Sequence, residues 1–241
     1  MKQVSACQVA TQPSESQIVS VHGDFTLEVC LSPESRQLAF QIRYRSYLQA
    51  GMIPVNEEGM LYDDYDFAPN VRIFLVWNAG KPVATIRSCV YSEAYNWLPT
   101  EGVHFFEKEL TAKLGEKVPL LESNRFAIDP DFQGRHSIFA QFLLFRAHGL
   151  NSAFHQCEYI ITSVQSNHIA FYQRFLGLNP ISDTPRQYDW IDAEISLLIN
   201  RSESCLGAIL KRGMPEYNEE DVARFAEQAK LSLIDHQRKV A

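Results

Sequence analysis

LLESNRFAI, from Leu120 to Ile128, has apolar, β-prone ends around a middle that carries Glu122, Asn124 and Arg125. The ends suit a central strand, and Asp129-Pro130 closes the stretch with a turn signal. In a regular strand successive side chains alternate, so Glu122 and Asn124 share one face and Ser123 and Arg125 the other, unless a bulge re-aims one. Charges in a buried strand are costly unless paired. Partners must therefore come from other elements, and the strand calls for a sheet with its neighbours on both sides.

Those neighbours are legible on either side. Residues 25–31 (FTLEVCL) alternate as a strand, and Ser32-Pro33-Glu34 is a helix start with Ser as N-cap and Pro at the first helical position. The helix runs to Gly51. Residues 52–70 lack periodicity and hold the acidic run YDDYD. Residues 73–77 and 82–90, joined by Asn78-Ala79-Gly80-Lys81, form a hairpin. A short helix is expected over 104–110. Beyond the opening strand come an apolar helix over 137–150, a strand over 158–164, a helix over 168–175 stopped by Gly177, and a strand over 191–199. Residues 216–240 read as an amphipathic helix, either a packing element or a partner surface. The order predicts an α/β fold with a mixed central sheet flanked by helices. It divides into a loose N-terminus (1–20), one domain (21–200) and a C-terminal helical extension (201–241).

With 46% apolar and 12% aromatic residues among 241, the chain has ample material for a core. Its 22 Lys and Arg against 29 Asp and Glu, net −7, argue against non-specific nucleic-acid binding. The five cysteines (Cys7, Cys30, Cys89, Cys157, Cys205) form no C-x-x-C pair and read as reduced, buried thiols of a cytoplasmic protein. The histidines have no metal-ligand spacing, so no metal is expected. No apolar run is long enough to span a membrane, and the first residues lack the apolar segment of a signal peptide.

Beginning at Ser166, SNHIAFYQRFLGL resembles the last conserved segment of the GNAT acyltransferase superfamily: Asn167 after a strand, a helix carrying Phe171-Tyr172, then Leu-Gly. The resemblance implies a GNAT-like acyl-CoA N-acyltransferase fold, with Asn167, Phe171 and Tyr172 beside the donor's pantetheine arm and Tyr172 protonating the departing thiolate. In that superfamily a glycine-rich loop binds the coenzyme A pyrophosphate at a helix N-terminus. Here the loop is DFQGRHSIF: Gln133, Gly134 and Arg135 keep its start, but His136 and Ile138 replace small residues. Ordinary loop divergence explains this, as does a donor that presents only phosphopantetheine, such as acyl carrier protein.

Arg43 with Tyr47 four residues on, Asp63 and Asp66, Arg87, then Glu122 and Arg125 resemble, in order, the acyl-homoserine-lactone synthases. Two departures stand out: Leu61 where an acid is usual, and no glycine in the strand before Arg87. The wording ESNRFAI and the Tyr-rich surroundings look closer to the related long-chain N-acyl amino acid synthases. That resemblance implies transfer of a medium or long acyl group from acyl carrier protein to an amino acid's amine, with no cofactor besides the donor's acyl-phosphopantetheine. The catalytic set would be Glu122, Arg125, Asp63, Asp66, Arg87 and Arg43. Donor contacts would fall to Phe126, Ile128, Gln133, Gly134, Arg135, Asn167, Phe171 and Tyr172.

Three guanidiniums facing three carboxylates suit a bidentate network, which serves either chemistry or the anchoring of loop 52–70. Glu122 is the candidate general base toward the incoming ammonium, so Glu122→Gln is expected to abolish turnover. A strand N–H near Phe126 or Ile128 would hold the oxyanion. Arg125, Arg135 and Arg146 are candidates for receiving an acidic carrier. Alternatives are an acyl-homoserine-lactone synthase that consumes S-adenosylmethionine, a non-catalytic acyl-carrier or acyl-ligand binding module, and a coenzyme-A-dependent N-acetyltransferase.

Overall fold

A computed structural model of the chain describes residues 12–13, 15–188, 190–191, 193–213 and 217–228, without the side chains of Ser16, Arg135 and His136. Among the described residues the strands join in one sheet. It contains β1 (Ile18–His22), β2 (Phe25–Val29), β3 (Val71–Asn78), β4 (Lys81–Tyr91), β5 (Leu120–Ile128) and β6 (Tyr159–Gln165). The short β7 (Asn179–Pro180) and β8 (Arg186–Gln187) and the longer β9 (Glu194–Arg201) complete it. The order is β1-β2-β3-β4-β5-β6-β9-β7, with β8 also on β9. Pairing is antiparallel throughout except at β5–β6, which is parallel.

Local signals set the elements. Helix α1 (Pro33–Gln49) starts where Ser32 accepts a hydrogen bond from Ser35 N at 3.2 Å. The β3–β4 turn has Ala79 and Gly80 both at positive φ, 46° and 76°, the backbone of a type I′ hairpin. The parallel pair β5–β6 requires a crossover, supplied by α4 (Arg135–Phe154), whose buried face of Leu143, Leu144 and Ala147 covers the sheet. Beside it lie α5 (Ile169–Leu176), α6 (Ser202–Leu210) and α7 (residues 219–228). The opposite face carries α1, α2 (Glu101–Phe105) and α3 (Glu107–Leu114).

β5 and β6 pair only from Leu120 to Ser123 against Tyr159 to Thr162. Beyond Ser123 they diverge, which opens a V in the middle of the sheet.

Several expectations shift. Ile18–His22 is a strand paired with β2, so the N-terminal segment joins the sheet earlier than the sequence reading placed it. The helix expected at 104–110 is two helices starting at Glu101, capped by Thr100. The last long strand begins at Glu194, three residues late. Of the C-terminal helix, 219–228 is seen, and 229–240 lies outside the described residues.

Candidate active site

β5 does not alternate. Arg87 stands opposite Asn124 and Thr85 opposite Ala127, so three steps on β5 answer two on β4. The extra residue is Arg125, at φ +52°, a left-handed backbone uncommon for a non-glycine residue. This bulge overturns the division of the strand into a Glu122 face and an Arg125 face. Arg125 turns back to the side of Asn124 and joins the same charged cluster.

The cluster is continuous. Arg43 Nη1 donates to Asp66 Oδ1 at 2.8 Å, with both side chains fully buried. Asp66 also accepts from Asp63 N at 3.0 Å and lies 3.3 Å from Arg87 Nη1. Arg87 donates to Asp63 at 2.5 Å, to Asn124 Oδ1 at 2.7 Å and to Glu101 Oε2 at 3.1 Å. Arg125 Nη2 donates to Asp63 at 2.5 Å and to Glu101 Oε1 at 3.0 Å. Its guanidinium lies 3.5 Å over the ring of Trp190, whose Nε1 donates to Glu101 Oε1 at 2.8 Å. Glu122 sits behind this array, fully buried, accepting from Gly102 N at 2.8 Å and from Asn124 Nδ2 at 2.9 Å.

Charge follows geometry. Burial would raise the Asp63 carboxyl, but Arg87 and Arg125 outweigh it and hold it at about 2. Burial likewise opposes ionisation of Asp66, and Arg43 with Arg87 overcomes it, lowering its pKa. Glu122 goes the other way: burial first, and then the Glu101 carboxylate, raise it.

Glu101 and Trp190 were missed in the sequence. Thr100, an N-cap residue followed by an acid, was the available signal for Glu101. The charge balance hid the need for it, because three arginines already matched three acids. With Glu101 the cluster holds four carboxylates to three guanidiniums.

A cleft of about 250 Å³ occupies the V. Asn124, Arg125, Phe126, Ile128 and Gln133 line one side, and Ser163, Gln165, His168 and Tyr172 the other. Tyr47, Met52, Tyr188 and Trp190 close it toward α1. Thus Arg125, Phe126, Ile128, Gln133 and Tyr172 meet at one cleft. Burial pushes the Tyr172 phenol up. Gly134, at φ +121°, caps α4 in a conformation open to glycine.

Other candidates lie elsewhere. Asn167 is exposed on the turn before α5 and does not line the cleft. Phe171 is half-buried and packs against Phe175 and Phe145 at the edge of the core. Arg43 and Asp66 brace the cluster from beneath, and Glu122 does not reach the cleft wall. Arg146 is buried, donating to Asp221 Oδ2 at 2.9 Å, and Arg125 is 5% exposed, so neither offers a surface to a carrier. The side chain of Arg135 lies outside the described residues. The described cysteines are buried and free, and burial pushes the Cys157 thiol up to about 12.

The family of the N-acyl amino acid synthase FeeM matches residues 38–200. The structure of FeeM from uncultured soil microbes superposes with a TM-score of 0.63 at 21% identity, covering 79% of this chain and 98% of that one. The acyl-homoserine-lactone synthase LasI follows with 0.55 at 16% identity, covering 80% and 98%. The CoA-dependent acyl-homoserine lactone synthase BjaI, with SAM and isopentyl-CoA, gives 0.55 at 14% identity, covering 83% and 93%. No curated protein matches the sequence. At these identities the structures show a shared fold, and the family match spans the strand, bulge and cleft described above. The chain belongs to the FeeM family of N-acyl amino acid synthases, acyltransferases on a GNAT-like fold.

Proposed function

We propose that the protein moves a medium or long acyl group from the phosphopantetheine of acyl carrier protein to the amine of an amino acid. The observation that carries this reading is the cleft itself. It passes between splayed strands from a polar mouth at Gln133 and His168 to apolar walls, and Asn124 and Arg125 of the charged cluster stand at its side.

The acceptor's nitrogen lone pair attacks the thioester carbonyl, forming the C–N bond. The oxyanion accepts a hydrogen bond from the N–H of Phe126 or Ile128; Asp129 N points to Val83 O on β4, and alternation turns Ile128 N toward the V. Collapse breaks the C–S bond, and the thiolate takes the proton of Tyr172, which burial keeps protonated. The surplus proton on nitrogen returns to Tyr172 through water, so the net transfer runs from amine to thiol. Glu122 is a poor base in this scheme. Both its oxygens are engaged, by Gly102 N and Asn124 Nδ2, and it does not line the cleft. It positions Asn124 and the start of α2.

No metal or further cofactor enters these steps. Acyl carrier protein is favoured over coenzyme A because the loop at Gly134 carries His136 and the half-exposed Ile138 in place of small residues. Free buried thiols fit a cytoplasmic setting.

The test supplies fatty acyl groups on acyl carrier protein or coenzyme A, with amino acids or S-adenosylmethionine as acceptor. N-acyl amino acid formed preferentially from the carrier is the expected result. Product only with S-adenosylmethionine, or no transfer with binding of the acyl carrier intact, would replace the reading with one of its rivals.

A further inference from the structure

Met52, Tyr188, Trp190 and Ile191 each line two spaces: the cleft of about 250 Å³ and an outer groove of about 580 Å³ floored by Ile53 and Pro54. They form the partition between the two. The partition is held firmly. The Tyr188 hydroxyl and Ser163 Oγ are 3.0 Å apart and hydrogen-bonded. The Tyr188 ring stacks on Phe105 with centroids 4.3 Å apart at 21°. Trp190 is fixed at the other end by Glu101 and by the Arg125 guanidinium. Tyr188 is 1% exposed, the most buried aromatic of the partition.

We infer that this partition, Tyr188 foremost, sets the length of acyl chain the enzyme accepts. The inference rests on the acyl transfer proposed above. A thioester held beside the β5 bulge has the polar mouth behind it on the α4–α5 side. Its chain therefore runs toward the apolar end formed by Met52, Tyr188, Ile191 and Ile195. Tyr188 stops it there. The groove beyond is the space a longer chain enters once the partition is cut back.

Two variants of the full chain test this, Tyr188→Ala and Met52→Ala, the second at a half-exposed position on the edge of the core. Each is assayed for kcat/KM with carrier-bound chains of increasing even length and one amino acid acceptor. Both should move the preferred chain upward. For a chain two methylenes beyond the parent's optimum, kcat/KM relative to that optimum should rise about fifteenfold. Should Tyr188→Ala fail to fold, Met52→Ala decides the matter. A folded, active variant with the parent's length profile would overturn the partition's role and leave acyl transfer standing. A parent chain that transfers no acyl group from any donor would remove the functional reading and the partition's role with it.

Discussion

At the scale of single residues, two buried acids give opposite lessons. Glu122 looks like a general base in the sequence, yet both its oxygens are engaged and it does not reach the cleft. Removing a general base costs about 10²–10⁴ in rate. Glu122→Gln keeps an oxygen for the Gly102 N–H at a position away from the cleft and is expected to keep kcat within about tenfold of the parent, well short of that loss. Below the acceptor amine's own pKa, kcat/KM should still rise about tenfold per pH unit and shift when an acceptor of different amine pKa is used. A collapse of activity in Glu122→Gln would restore it as the base. Glu28 is the second case. It is 1% exposed on β2, accepts from Trp77 Nε1 at 2.5 Å, and is raised by burial to about 7 from an ordinary 4.5. A folded pKa above the unfolded one means stability that is full below about 4.5 and lost as pH rises toward 7. Glu28→Gln should therefore raise Tm by about 2–4 °C at pH 8, with the gain vanishing near pH 5, in thermal melts across that range. A Glu28→Gln chain less stable at every pH would show that the carboxyl is worth more than its burial costs.

At the scale of elements, the bulge in β5 explains both what the sequence disclosed and what it hid. The strand, its charged middle, the β3–β4 hairpin and α1 were legible because period, caps and turn residues announce them locally. The bulge was not, because the extra residue is an arginine and only the register against β4 reveals it. Glu101 was hidden for a related reason: its role depends on where α2 docks, not on its neighbours in sequence. That docking is tight. A Cβ at Gly102 would lie 3.1 Å from Glu122 Cδ and 3.1 Å from Leu197 Cδ1. Glu122 is tied to the Gly102 N–H and cannot retreat without losing that bond. Gly102→Ala is thus expected to destabilise the protein by about 1–3 kcal/mol in denaturant titrations, and to lower activity by shifting Glu101 from Arg125. A neutral or stabilising Gly102→Ala would mean that α2 slides freely over the cluster.

At the scale of the whole molecule, the family match ends at residue 200, yet the packing does not. The residues that follow form α6 and α7 on the α4 face, where Arg146 donates to Asp221 at 2.9 Å and lies 4.1 Å over the ring of Tyr217. Phe225, 1% exposed, stacks on Phe74 of β3 at 6.2 Å and meets Phe154 of α4 edge-on at 5.5 Å. The C-terminal segment read from sequence as either a packing element or a partner surface is, over residues 219–228, part of the core. It closes the sheet face that α4 alone leaves open, and so steadies the crossover between the strands that form the V. Phe225→Ala should therefore behave as a core truncation, costing about 3–5 kcal/mol in urea unfolding, while the acceptor KM of the remaining folded protein stays near the parent's because Phe225 does not line the cleft. An Ala variant with unchanged stability would instead mark α7 as a loosely docked surface element.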